Sequence, residues 1–388
     1  MQDLLDPNEL EEITRRALAP QGERTSAEGA RVESLLRNRF GSLSGLPAIG
    51  KAIIRIMASR PSGTLVIDSL DGLRTLDSVE SAKLEPVLIS AARYTRTKLF
   101  LVAEGRSSAS LGFLVDGMVR LRDEQMRGRT VRYMDVQKMR GIPRRRPSHV
   151  FTLDGARFRV IPVFSYSPPR DMPKRGTPKA EARIPMGHPD LDKLLGGGLE
   201  KGSVNVVELG RKVTSTMYEW MLRALASATL CARRPFVLIA DPLPSVAKLY
   251  EMLVRTFGLG YLSRLLWIIL TGYPLGFEGG RDGIITEAKK MQTQDFVREM
   301  IRRRKLANVS EMVTVSIETP NFEVRGWQGA CVLFLHEEAG IPRGVTNHMC
   351  LEKEAGALVL YGVSPSTPAF GVVASAESDA GARLVPLS

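Results

Sequence analysis

The sequence predicts an α/β protein in two units, each built on a mainly parallel central sheet flanked by helices. Three observations support this. Short apolar runs such as Thr64-Leu65-Val66-Ile67 and Val204-Asn205-Val206-Val207-Glu208-Leu209 have strand length and sit between turn formers. Segments of helical period separate such runs, and parallel strands need crossovers of that kind. The alternation recurs in both halves of a 388-residue chain, a length suited to two domains.

Residues 1–59 read as mainly helical, with helix formers over 8–17, 27–39 and 46–59 and breaks at Pro20 and Gly22. Gly45-Leu46-Pro47-Ala48-Ile49-Gly50-Lys51-Ala52 approaches the phosphate-loop pattern. However, Ala52 stands where a Mg²⁺-binding Ser or Thr belongs and no strand precedes the match, so it reads as a helix start. The run 64–67 then reads as a strand buried on both faces and closed by Asp68. Open α/β sheets bind ligands at that strand end, and a carboxylate there either holds Mg²⁺ or caps the next turn. Residues 79–97 follow as an amphipathic helix, and 98–103 as a second buried strand ending at Glu104. Residues 112–121 give a third strand with Asp116 before it, 130–138 an antiparallel strand, and 149–153 with 158–163 a hairpin around Asp154-Gly155.

Five of these pieces stand in one order: VIDSLDGL (66–73), LFLVAEG (99–105), VDGMVRL (115–121), RYMDVQKMRG (132–141) and HVFTLDGARFRVIPV (149–163). Together they resemble the second half of a RecA-type ATPase domain of the KaiC-like branch. The resemblance implies that Asp68 is the Mg²⁺ carboxylate and that Glu104 or Arg106 lies near the phosphate. It also implies that Lys138 and Arg140 of the K-x-R-G segment reach a neighbouring subunit's γ-phosphate as fingers in trans. For both, a plain basic pair at a strand end is the alternative. In the family a strand, a phosphate loop, a helix and another strand precede these pieces. Their counterparts are not legible before residue 63, so the first domain is expected to be truncated on its N-terminal side. Self-association, or residues 1–59 folding over the gap, would then cover its apolar edge.

Residues 164–182 are Pro-rich and basic and read as a linker. The segment 183–199, RIPMGHPDLDKLLGGGL, closely resembles the opening of a KaiC-like or RadA-like domain. Its short helix stops at glycines able to take positive φ. The expected division is therefore 1–163 (lead-in 1–59, core 60–163), the linker, and a second RecA-like domain over 183–388. After the strand 202–209, the phosphate loop should follow. What stands there is Gly210-Arg211-Lys212-Val213-Thr214-Ser215-Thr216. A phosphate cradle needs several flexible backbone amides, then Lys, then Ser or Thr. Only Gly210 supplies such freedom, and Lys212 is out of place. Thr214, Ser215 and Thr216 still offer hydroxyls at a helix N-terminus, so anion binding is retained as an expectation and ATP cradling is not. Further on, 215–232, 245–257 and 290–305 read as helices. Residues 235–240, 265–270, 312–318, 330–335, 357–363 and 369–375 read as strands. Asp241 with Pro242 reads as a turn, and His336-Glu337-Glu338 as a polar cluster without a role.

Composition narrows the function. The net charge of +12 favours anionic partners, yet aromatic residues make up only 6% and do not alternate with basic ones as stacking on nucleic acid requires. Cys231, Cys331 and Cys350 are isolated, and the four histidines have no metal-ligand spacing. No apolar run of membrane-spanning length occurs, and a reducing cytoplasm is the expected compartment. The leading expectation is a degenerate, KaiC-like RecA-fold pseudo-ATPase acting in assembly or signalling, as a homo-oligomer or with a related RecA-fold subunit. One alternative is an ATPase using ATP and Mg²⁺ whose phosphate loop comes from elsewhere. The other is a DNA-binding recombination accessory.

Overall fold

The structure, a computed structural model, describes residues 34, 38, 48–59, 62–76, 81–104, 109–166, 183–240, 244–270, 309–317, 329–375 and 381–387. The expected helices at 8–17, 27–39 and 290–305, the linker, Arg106 and Asp241 fall wholly or largely outside these residues. By compactness the chain divides into Met1–Met118 with Gln137–Pro143, and Val119–Val136 with Arg144–Ser388.

The first unit contains α1 (Ala48–Ser59), β1 (Thr64–Ile67), α2 (Leu70–Leu76), α3 (Ser81–Tyr94), β2 (Lys98–Leu101) and α4 (Ala109–Leu114). Gly50 and Lys51 lie inside α1, as the helix-start reading of that segment expects. β1 and β2 pair in parallel, Leu65 beside Leu99 and Ile67 beside Leu101. These inward residues pack with Ile54, Met57, Leu84, Val87, Leu88 and Ala91 of α1 and α3. The other face is bare: Val66 is 59% exposed and its register partner Phe100 57%. This corrects the expectation of strands buried on both faces. A β-branched run fits a strand covered on one side or two, and here the described helices cover one. A second correction concerns residues 112–114, which close α4; the strand begins only at Gly117.

The long ribbon of β3 (Gly117–Met126) and β4 (Arg129–Met139) turns at Arg127-Gly128, both with positive φ, 47° and 79°. β5 (Ser148–Thr152) and β6 (Arg159–Val160) complete a four-stranded sheet in the order β3-β4-β5-β6. Within the second unit, Val131, Tyr133, Val150 and Ile161 of this sheet share a core with Cys350, Val359, Tyr361, Val385 and Leu387. Arg129 donates to the Thr367 carbonyl at 2.8 Å, Arg132 to Leu387 at 2.9 Å, and the Thr152 hydroxyl to Pro386 at 2.6 Å.

The elements after the linker are α5 (Pro189–Leu194), β7 (Val204–Leu209), α6 (Ser215–Cys231), β8 (Phe236–Ala240), α7 (Pro244–Phe257), α8 (Leu259–Leu265), β9 (Leu266–Leu270), β10 (Val313–Ile317), β11 (Ala330–His336), β12 (Asn347–Glu354), β13 (Ala357–Ser364), β14 (Phe370–Ala374) and β15 (Ala382–Pro386). They build one nine-stranded sheet in the order β15-β14-β13-β12-β7-β11-β10-β8-β9. β12, β7, β11, β10, β8 and β9 run parallel, and β13 to β15 continue it antiparallel. β7 is buried along its whole length, as a central parallel strand should be. β12 and β15 were not expected from the sequence. The polar residues of Asn347-His348-Met349-Cys350-Leu351-Glu352-Lys353-Glu354 mask the alternation that the strand uses.

The 183–199 segment is a packing device. The Asp192 carboxylate accepts the Met186 amide at 2.5 Å, the Asp190 carboxylate accepts the Leu384 amide at 2.9 Å, and buried His188 meets the Ala382 carbonyl at 3.0 Å. Gly187 has φ +80°, and a Cβ there would lie 2.1 Å from the Ala224 carbonyl oxygen of α6. Both the backbone conformation and the clash penalise any side chain. Gly187→Ala is therefore expected to destabilise the second unit by about 3 kcal/mol or more, read as a lowered denaturant midpoint; an unchanged midpoint contradicts this clasp.

Candidate functional site

In the first unit, Asp68 and Glu104 lie just past the C-terminal ends of the adjacent parallel strands β1 and β2, and both are exposed. The Glu104 amide donates to the Asp71 carboxylate at 2.7 Å, so the first turn of α2 fixes the chain beyond β2. Lys138 and Arg140 converge on the C-terminal end of α4. The Lys138 ammonium donates to the Gly112 carbonyl at 2.8 Å, and Arg140 to the Phe113 carbonyl at 2.9 Å. Arg140 also pairs with Asp116 at 3.3 Å, and Arg93 joins that carboxylate at 3.1 Å. Cations at helix C-termini satisfy end carbonyls and the helix dipole. Lys138 and Arg140 therefore have a structural occupation within their own unit.

In the second unit the connection from β7 to α6 is short. The Gly210 amide donates to the Leu351 carbonyl at 2.9 Å, and the Val213 amide turns back to the Gly210 carbonyl at 2.9 Å. Val213 is buried, while Lys212 and Thr214 are exposed. Thr214 occupies the N-cap position without a capping bond from its side chain, and its hydroxyl meets that of Thr216 at 3.0 Å. Ser215 opens the helix. Two amides of the turn are thus spent on the fold. A Cβ on Gly210 would fall 2.0 Å from a Glu352 carboxylate oxygen, so an acid fills the space beside the glycine.

That acid belongs to a cluster at the C-terminal ends of β7, β11 and β12. Arg127, projecting from the β3–β4 turn, pairs with Glu208 at 2.8 Å and Glu337 at 3.3 Å, with Glu352 at 3.8 Å. The Glu208 side chain is only 8% exposed. Burial pushes its pKa up, but hydrogen bonds from Arg127 and His348 outweigh burial and hold it below the usual carboxylate range. Burial raises Glu352, with Arg127 only partly compensating. The second oxygen of Glu208 receives His348 Nε2 at 2.7 Å and Cys350 Sγ at 3.4 Å. Burial and the Glu208 charge push the Cys350 thiol up to about 12. Beside the cluster, Arg211 pairs with Glu338 at 3.4 Å. His336-Glu337-Glu338 thus acquires its role as acceptor of two arginines.

Sequence reasoning missed Glu208, His348, Cys350 and Arg127. The legible signal was His348-x-Cys350, two ligand-type side chains sharing one face of a strand. Glu208 and Arg127 lie far from it along the chain, and only the pairing of β7 with β12 and the placement of the hairpin turn bring them together.

Residues 38–163 match a family model described as ATPase: KaiC. Protein GvpD2 of Halobacterium salinarum is 25% identical over 315 residues, covering 74% of this chain and 64% of the relative. Protein GvpD1 of the same organism is 30% identical over 173 residues, covering 43% of this chain and 32% of the relative. The chain thus spans less than two thirds of the length of either relative. The KaiC-type match is confined to residues 38–163, about a third of the chain, and both relatives are likenesses over part of their length.

Proposed function

We propose that this KaiC-like protein serves as a scaffold or signalling component and does not turn over ATP by itself. The supporting observation is the 210–214 turn. Its Gly210 and Val213 amides are already bonded, and Glu352 stands beside the one glycine. A triphosphate held at a strand end needs converging amides and positive charge. Here carboxylates gather around a single guanidinium instead.

The reading includes a first domain lacking its front half and a second, degenerate RecA-like domain. In the nine-stranded sheet, β7 lies between β11 and β12 and joins the parallel strands to the antiparallel ones. Earlier in the chain, the parallel pair β1–β2 and the antiparallel β3–β6 form separate sheets, with no counterpart of β7 among the described residues. A second reading keeps ATP and Mg²⁺. Asp68 and Glu104 stand exposed at neighbouring strand ends, where a phosphate loop supplied by another polypeptide would place a metal-bound phosphate. Nucleic-acid binding is disfavoured because Arg122, Arg127, Arg129, Arg132, Arg140 and Arg183 are already bonded to carboxylates or carbonyls. The three cysteines are free, which fits the expected reducing compartment. No helix among the described residues is long and apolar enough to cross a membrane.

Purified chain with Mg²⁺ and ATP is expected to show no phosphate release above that of Asp68→Ala, and Lys212→Ala is expected to leave binding of a fluorescent ATP analogue unchanged. Turnover lost in either variant overturns the scaffold reading. The bare Val66 and Phe100 face supports self-association. Light scattering on the eluting protein is expected to show an oligomer that Phe100→Ser shifts toward monomer; a monomer at tens of micromolar contradicts it.

A further inference from the structure

We propose that Glu208, His348 and Cys350 form a binding site for a single Zn²⁺ that clamps β12 to β7. One oxygen of Glu208, Nε2 of His348 and Sγ of Cys350 all lie within 4.8 Å of one another. The sulfur stands 3.4 Å from the carboxylate oxygen and 3.6 Å from the imidazole nitrogen. Around a tetrahedral zinc, with bonds of about 2.3 Å to sulfur and about 2.0 Å to nitrogen or oxygen, both separations come to about 3.5 Å. Only the nitrogen–oxygen pair is tighter, at 2.7 Å, because it is a hydrogen bond. Opening it to the roughly 3.3 Å of a tetrahedral edge is a small side-chain adjustment.

The protonation pattern points the same way. Two donors, the thiol and the imidazole N–H, converge on one carboxylate oxygen. A metal at that focus replaces both protons. The thiol proton leaves to solvent, the Nε2 proton of the neutral imidazole is exchanged through solvent for one on Nδ1, and the cation takes one bond from each ligand. The other oxygen of Glu208 stays on Arg127 at 2.8 Å, the outer-sphere hydrogen bond that orients a ligating carboxylate. Arg127 faces Glu208, Glu337 and Glu352, so the cluster holds more carboxylates than cations and a divalent ion relieves the excess. The mixed sulfur, nitrogen and oxygen set suits Zn²⁺ over Mg²⁺ or Ca²⁺, which take oxygen. With three protein ligands, the fourth position remains for water.

A nucleophilic reading of the same residues fails on geometry. In a Cys–His–acid triad the acid and the thiol use opposite ring nitrogens, whereas both meet Nε2 here, and Cys350 is fully buried.

The test uses the full chain, stripped with chelator and titrated with Zn²⁺ against a chromophoric competitor, and separately with Co²⁺. The expected result is one ion per chain at submicromolar affinity, with cobalt–thiolate charge-transfer absorption. Cys350→Ser should abolish that absorption, and Cys350→Ser and His348→Ala should each weaken Zn²⁺ binding by ~100-fold or more. Cys231→Ser, a free thiol outside the site, should change neither. Wild-type chain that binds Zn²⁺ no tighter than the competitor's limit, or that lacks the thiolate absorption, overturns the proposal whatever the variants do. So does tight binding that survives both substitutions.

Discussion

One guanidinium holds the C-terminal edge of the second sheet together. Arg127 reaches from a two-residue turn to Glu208 on β7, Glu352 on β12 and Glu337 after β11. Glu208 is nearly buried, and an uncompensated buried charge costs about 3–5 kcal/mol. The strand ends therefore depend on that arginine, and the arginine depends on the hairpin that carries it. Apolar burial of Val131, Tyr133 and Val150 against Tyr361 and Val385 fixes the hairpin in turn. The same arrangement explains the turn after β7: with carboxylates gathered at the edge, a polyphosphate would meet like charge.

The 183–199 segment is a part of the second unit that packs. Asp190, Asp192, His188 and Gly187 each answer to a backbone group or a steric limit in the second unit. Such demands belong to the fold itself and hold whether or not a nucleotide is bound. Lys138 and Arg140 follow the same logic, since they close the end of α4 within their own unit.

Much of the strand framework was legible in the sequence. Central parallel strands are continuous apolar runs, so β7, β8, β9 and β11 stand out. β12 was not legible because its polar residues are tied to the charged cluster, as His348 and Glu352 show. The bare face of β1 and β2 was hidden for a different reason: composition reports that a residue is apolar, not whether a helix covers it. The cluster itself was hidden because it is assembled by strand order, with β7 beside β12 although about 140 residues separate Glu208 from His348.

The central claim is that the strand edge is closed by its own charges. A double-mutant cycle on Arg127→Ala and Glu208→Gln, read from denaturant midpoints of the full chain, tests it most directly. The account predicts a coupling of at least about 1 kcal/mol, with each single variant more costly than its share. Additivity within about 0.3 kcal/mol would mean that the two groups ignore each other, and the closed edge would be contradicted.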